Sequence, residues 1–129
     1  TVFECNKHAH EFFVEEGYVV DWMYPYLEPC GLIMKLNKEP LPELPEEIVR
    51  RDTGFWTNQV ARLTAQPGFG DNPAARKAFS KLRSAIAGIY VFRKRYADAE
   101  AAFRQAIGIG DAEFAADFRR YVVWQGWRR

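Results

Sequence analysis

The sequence has two histidines, and both stand in one tripeptide, His8-Ala9-His10. In an extended segment residues two apart share a face. Both imidazoles would then point the same way, with Cys5 and Glu11 close in sequence. A metal needs three or four convergent protein ligands, and nothing else in the chain has ligand spacing. The tripeptide reads as a polar loop, and no metal is expected. The two cysteines, Cys5 and Cys30, form no Cys-x-x-Cys motif. A disulfide in an oxidising compartment and two separate thiols both fit them.

Glu15-Glu16 with Asp21 puts carboxylates around a turn, where paired acids could do acid–base work. No second catalytic element accompanies them, so surface and capping roles are expected. Pro67-Gly68-Phe69-Gly70-Asp71 precedes a helix but lacks the Gly-Lys-Ser/Thr ending of a phosphate loop; it reads as a helix-breaking turn. Arg93-Lys94-Arg95 falls at the end of a helix, where Arg93 and Lys94 would complement the negative pole of the dipole. A phosphate or anionic-lipid contact is the alternative. Arg119, Arg120, Arg128 and Arg129 are interleaved with Trp124 and Trp127, a mixture that can bind nucleic acid. Here it reads as a face awaiting a neighbouring helix. No catalytic residue, cofactor or nucleic-acid partner is assigned.

Composition agrees. In 129 residues, 48% are apolar and 16% aromatic, enough ring area to build a core without staples. The net charge of +1 provides no global field to draw the chain to nucleic acid or membrane. The charge is unevenly placed: residues 1–50 carry a net −6 and residues 51–129 a net +7. The two blocks are expected to attract each other within one fold. No apolar run approaches the roughly 20 residues that span a bilayer. No signal peptide opens the sequence and Thr1 has no Met before it, so the chain reads as a piece of a longer protein.

The elements that must position these residues fall into two styles. Residues 1–38 read as β-rich. Val2–Cys5, Glu11–Glu15 and Gly31–Leu36 are the candidate strands, the last apolar enough to be buried on both faces. Asn6–His10 would join the first two strands. Asp21 would cap a short helical turn containing Pro25, and Pro29 and Gly31 would break the chain before the third strand. Residues 39–45, with three prolines, form an extended linker. Residues 46–129 read as helical. Pro45 opens the first helix, whose stripe is Ile48, Phe55, Trp56, Val60 and Leu63. Asn72-Pro73 opens the second, striped by Ala75, Phe79, Leu82, Ile86, Ile89, Tyr90 and Phe92. Tyr96–Ile109 is the third, and Asp111 would cap a fourth. The expected fold class is α+β, a small antiparallel sheet packed on helices. Phe55, Trp56, Trp22 and Tyr24 are the expected contact between the two parts.

Ile86-Ala87, Tyr90, Tyr96, Ala99, Phe103 and Ala106 stand at the spacing of a tetratricopeptide repeat, which the segment at about 76–110 resembles. Small residues at 87, 99 and 106 would let two antiparallel helices approach, and Tyr90, Tyr96 and Phe103 would fill the gaps. Lys94 departs from the pattern, standing where such turns carry Gly. One repeat is complete, and a second begins at Asp111. A stacked array needs about three, so the array is expected to continue, and Trp124 and Trp127 are expected to promote self-association of this chain.

A wider resemblance covers Glu11–Tyr18, Asp21–Leu27, Gly31–Lys35 and Phe79–Tyr90. These stretches are similar to a bacterial family of multi-spanning membrane proteins related to protein O-mannosyltransferases, in which tetratricopeptide repeats follow the last span. The resemblance implies an extracytoplasmic position, and a non-catalytic role for this segment. The expected function is a protein-interaction or scaffolding module with an unidentified protein or peptide ligand. The alternative is a regulatory or acceptor-positioning part of a membrane glycosyltransferase. Repeat stacks bind along the first helix of each hairpin; the expected groove residues are Lys81, Ser84, Gly88, Val91 and Phe92.

Overall fold

The computed structural model describes residues 2–110, the side chains of Val2 and Cys5 excepted. The fold is α+β. A short helix α1 (Val2–Asn6) leads into strand β1 (Phe12–Val14). Two 3₁₀ segments follow, Glu16–Tyr18 and Asp21–Tyr26. Strands β2 (Leu27–Cys30) and β3 (Ile33–Leu36) complete the sheet. Helices α2 (Glu46–Ala65), α3 (Pro73–Phe92) and α4 (Tyr96–Ile109) make the second layer. The expected fourth helix, with Trp124 and Trp127, lies outside the described residues.

The sheet is antiparallel in the order β1-β3-β2. Phe12 and Leu27 flank Leu36, and Val14 and Pro29 flank Met34. These pairs share one face by the two-residue period of a strand, and Val14, Leu27, Met34 and Leu36 are buried there. The sequence pattern placed β1 and β3 correctly but missed β2. Pro29 reads as a strand breaker, yet β2 is an edge strand, where a missing N–H interrupts no ladder. Gly31, with φ 64°, is the first residue of the two-residue turn joining β2 to β3, where a positive φ suits glycine. Residues 33 to 36 are not buried on both faces: Met34 and Leu36 are buried, Ile33 and Lys35 only half so.

Val2–Cys5 forms a helix and not the expected strand. Four alternating residues fit either period. The Phe3 ring packs among Phe12, Trp22 and Tyr26 at centroid distances of 5.5, 5.7 and 5.5 Å, and Lys7 reaches Glu4 one turn back at 3.5 Å. Asn6–His10 is therefore the turn leaving α1. The 3₁₀ segment at Asp21 forms as expected, but Asp21 lies inside it and makes no capping bond.

In α2 the buried stripe is Val49, Asp52, Trp56 and Leu63. It is rotated from the expected one, with Ile48 and Val60 half-buried and Phe55 37% exposed. Pro45 stands just before the helix, its carbonyl accepting from the N–H of Ile48 and Val49. Asn72 caps α3 as expected, its Oδ1 accepting from the N–H of Ala75 at 3.1 Å. Helix α3 ends in a Schellman arrangement: the Lys94 N–H donates to Val91 O and the Arg95 N–H to Tyr90 O. Lys94 takes the left-handed position with φ 59°.

Sheet and helices share one core. The Trp56 indole is fully buried and donates to Gly31 O at 3.2 Å. The Phe55 ring lies over the same glycine, 3.6 Å from where a Cβ would stand. Tyr24 stacks on Phe92 at 5.5 Å. These are three of the four expected contact residues. Trp22 instead packs within the N-terminal part, against Phe3 and Tyr26. Residues 39–45 are irregular but held. Leu44 is buried, and the Leu41 N–H donates to Pro25 O at 2.8 Å. The opposed charge blocks meet in Arg51 with Glu28 at 3.6 Å and Arg95 with Glu46 at 2.6 Å.

Candidate binding face and its buried polar support

The α3–α4 hairpin is built on small residues. Ala87, Ala99, Ala102 and Ala106 are all fully buried, and no side chain beyond a methyl stands at these positions. Backbones can therefore approach closely. Ser80 lies at the same interface and donates its hydroxyl to Ala106 O at 2.6 Å. Tyr90 and Phe103 are buried, as the repeat spacing predicts. Tyr96 is not: it is 47% exposed at the first position of α4. Arg76 closes the far end of the hairpin. It donates to the carbonyls of Ile109 at 3.0 Å and Gly110 at 2.7 Å, satisfying acceptors that the end of α4 would leave free.

Helical periodicity places Lys81, Ser84, Gly88, Val91 and Phe92 within roughly a 100° arc of α3. This arc is offset from the buried face formed by Ser80, Arg83, Ile86, Ala87, Ile89 and Tyr90. Lys81 and Phe92 are exposed, and Ser84, Gly88 and Val91 are half-buried. The Ser84 hydroxyl donates to Ser80 O at 2.6 Å, so it is partly engaged by its own helix. One end of the arc meets the chain's own N-terminal part. A Cβ on Gly88 would lie 3.6 Å from the Tyr24 hydroxyl, and the Tyr24 ring covers one face of Phe92. The five residues thus share one face, open at Lys81 and bounded by an aromatic pair at Phe92.

Behind this arc lies a polar cluster that sequence reasoning did not find. Arg83 Nη1 donates to Asp52 Oδ2 at 2.8 Å, and the Tyr90 hydroxyl donates to the same oxygen at 2.5 Å. Arg83 Nε donates to Gln105 Oε1 at 2.8 Å, and the guanidinium lies 5.2 Å from the Trp56 ring centroid. Arg83 and Asp52 are almost fully buried. Asp52 Oδ1 is buried and accepts no bond from a described residue. Burial, followed by the adjacent Asp52 charge, pushes the Tyr90 hydroxyl well above the usual tyrosine range. One guanidinium therefore ties α2, α3 and α4 together. The sequence signal was available: Asp52 interrupts the stripe of Val49 and Trp56, and Arg83 interrupts that of Ser80, Ala87 and Tyr90. A charged residue inside an apolar stripe implies a buried partner.

The basic triplet is spent largely on structure. Arg93 does not serve its own helix end. Its Nη1 donates to Leu41 O at 2.8 Å and its Nη2 to Pro25 O at 2.9 Å, fastening both N-terminal segments to α3. Partial burial draws this guanidinium below its usual range. Arg95 pairs with Asp98 at 2.8 Å as well as with Glu46. Of the three, Arg95 alone forms ion pairs with described residues, while Arg93 is bonded to backbone carbonyls.

Other sequence candidates are dispersed. His8 and His10 are exposed, and no three potential metal ligands converge among the described residues. Cys30 is an exposed free thiol at the end of β2. The Cys5 side chain lies outside the described set. Glu15, Glu16 and Asp21 are exposed. Pro67–Asp71 forms the expected turn, with Gly68 at φ 86°. No family model, curated protein or solved structure matches this chain.

Proposed function

We propose that the chain is a non-catalytic protein-interaction or scaffolding module that takes a peptide along the outer arc of α3. The observation that supports this reading most is the pairing at the end of that arc. Phe92 remains 45% exposed while Tyr24 stacks on it, so a large apolar surface is held ready on a helix whose back is fixed by Arg83 and Asp52. Ordering the face in advance lowers the entropy cost of binding. Gly88, between this pair and Lys81, lets the Tyr24 hydroxyl lie close against α3.

The chemistry of the arc sets the ligand class. Lys81 favours an acidic side chain, and the Tyr24–Phe92 pair favours an apolar or aromatic one. Phe92 stands eleven helical steps after Lys81, a span of about 16 Å. An extended peptide covers that in about five residues. A random peptide library selected on this protein should enrich sequences with an acidic and an apolar residue about that far apart. Lys81→Glu and Phe92→Ala should each weaken the selected peptides at least tenfold without changing helicity. Selected peptides that bind both variants as tightly as the parent would refute the reading.

Placement of this module on the extracytoplasmic side of a multi-spanning membrane protein rests on the sequence resemblance alone. No helix among the described residues is long and apolar enough to cross a membrane. The spans of such a parent would lie elsewhere in it.

A further inference from the structure

On the side of the N-terminal part formed by α1, β1 and the 3₁₀ segments lies an open cavity of about 550 Å3. This is within the range of roughly 300–1,000 Å3 usual for small-molecule sites. Its lining includes Phe3, Phe12, Phe13, Tyr18 and Trp22 and the carboxylate-bearing Glu15; among the described residues no Lys, Arg or His lines it. Phe3, one of the lining residues, is 5% exposed. Phe13, Tyr18 and Trp22 are 48%, 69% and 44% exposed, a concentration of open ring surface around one cavity. The nearest cation on the sheet, Lys35, is engaged by Glu11 at 3.7 Å. Glu15 makes no ion pair with a described residue, and neither do its neighbours Glu16 and Asp21.

We propose that this cavity binds an organic cation of the trimethylammonium class. Ring faces carry the negative end of the aromatic quadrupole and attract a cation within about 6 Å of the centroid, Trp most strongly. A methylated ammonium gives up little hydration and brings apolar methyl groups to the rings, whereas a primary ammonium gives up much more. Glu15 supplies the complementary charge, and the net −6 of residues 1–50 adds to it. An anion is opposed by the same charges. The site shares no residue with the α3 arc, so it stands or falls separately from the peptide-binding reading.

The test is a titration of the full chain with tetramethylammonium and choline, read by the NMR signal of the Trp22 indole. That signal is assigned by its loss in Trp22→Phe. Both cations should shift it saturably, and the neutral carbon isostere of choline should bind about tenfold more weakly. Glu15→Gln and Tyr18→Ala change exposed side chains and should leave the fold intact. Glu15→Gln should weaken choline about two- to fivefold, and Tyr18→Ala should weaken it as well. Vesicles separate the two sources of this headgroup. Retention on phosphatidylcholine vesicles, absent on phosphatidylglycerol vesicles and reduced by Glu15→Gln, identifies the lipid form. Saturable choline binding without vesicle retention identifies the free form. The proposal is overturned by equal binding of the neutral isostere, by no response to either cation or to phosphatidylcholine, by preference for phosphatidylglycerol, or by affinity unchanged in both variants.

Discussion

Replacing Arg83 by Met tests whether the back of α3 is held by charge. The substitution keeps an unbranched chain against Trp56 but removes the partner of a carboxylate that is 4% exposed. Asp52 is left with the Tyr90 hydroxyl alone. Breaking a buried ion pair from one side costs about 3–5 kcal/mol, because the remaining charge is uncompensated. Small domains have about 5–15 kcal/mol in all, so this loss is a large share. With a urea slope of about 1–2 kcal/mol per M, the unfolding midpoint should fall by roughly 1.5–5 M. Asp52→Leu combined with Arg83→Met removes both charges. It should recover most of the loss, ending within about 1–3 kcal/mol of the parent, the remainder coming from the Tyr90 hydroxyl and Gln105 Oε1, which both lose these partners. Equilibrium urea unfolding of the parent, the two single variants and the double variant gives the coupling directly. A loss below about 1 kcal/mol in Arg83→Met, or a double variant as unstable as the sum of the singles, would refute the network as a buried, mutually compensated pair.

Trp56→Ala should cost about 3–5 kcal/mol for the cavity and about 1 kcal/mol more for the bond to Gly31 O. Sheet and helices should still unfold in one transition by near- and far-ultraviolet circular dichroism; helices that melt unchanged after the sheet is lost would make the sheet an appendage. Lys94→Gly relieves a left-handed residue and should raise stability by about 0.5–1 kcal/mol in thermal unfolding; a loss would show that the Lys94 side chain is needed. Native Tyr90 keeps its proton above about pH 10, where unfolded tyrosine loses it. Stability should therefore be complete below that pH and fall above it by about 1.4 kcal/mol per unit, a slope absent from Tyr90→Phe in urea unfolding between pH 10 and 12.

The helical half was legible where punctuation and period agree. Asn72-Pro73, the break at Pro67–Gly70 and the bounds of α4 follow from local chemistry that the tertiary structure leaves alone. The N-terminal half was less so. Four residues at Val2–Cys5 carry too few periods to separate strand from helix, and the ring cluster around Phe3 decides. Pro29 misled because edge position, which excuses a proline, is a property of the finished sheet. The stripe of α2 was misjudged by one residue because Asp52 is polar yet buried. Its partner Arg83 lies 31 residues away, and only the fold brings them together. The arc of α3 was legible as a helical face. That Tyr24 bounds it was not, since a contact across 68 residues leaves no local trace.

The most direct measurement is a map of backbone amide shifts in the full chain on adding a peptide selected from a library. The amides of residues 81, 84, 88, 91 and 92 should shift together with that of Tyr24, and Phe92→Ala should abolish the response. Shifts confined to other faces, such as the exposed side of α2, with the α3 arc unmoved, would contradict it.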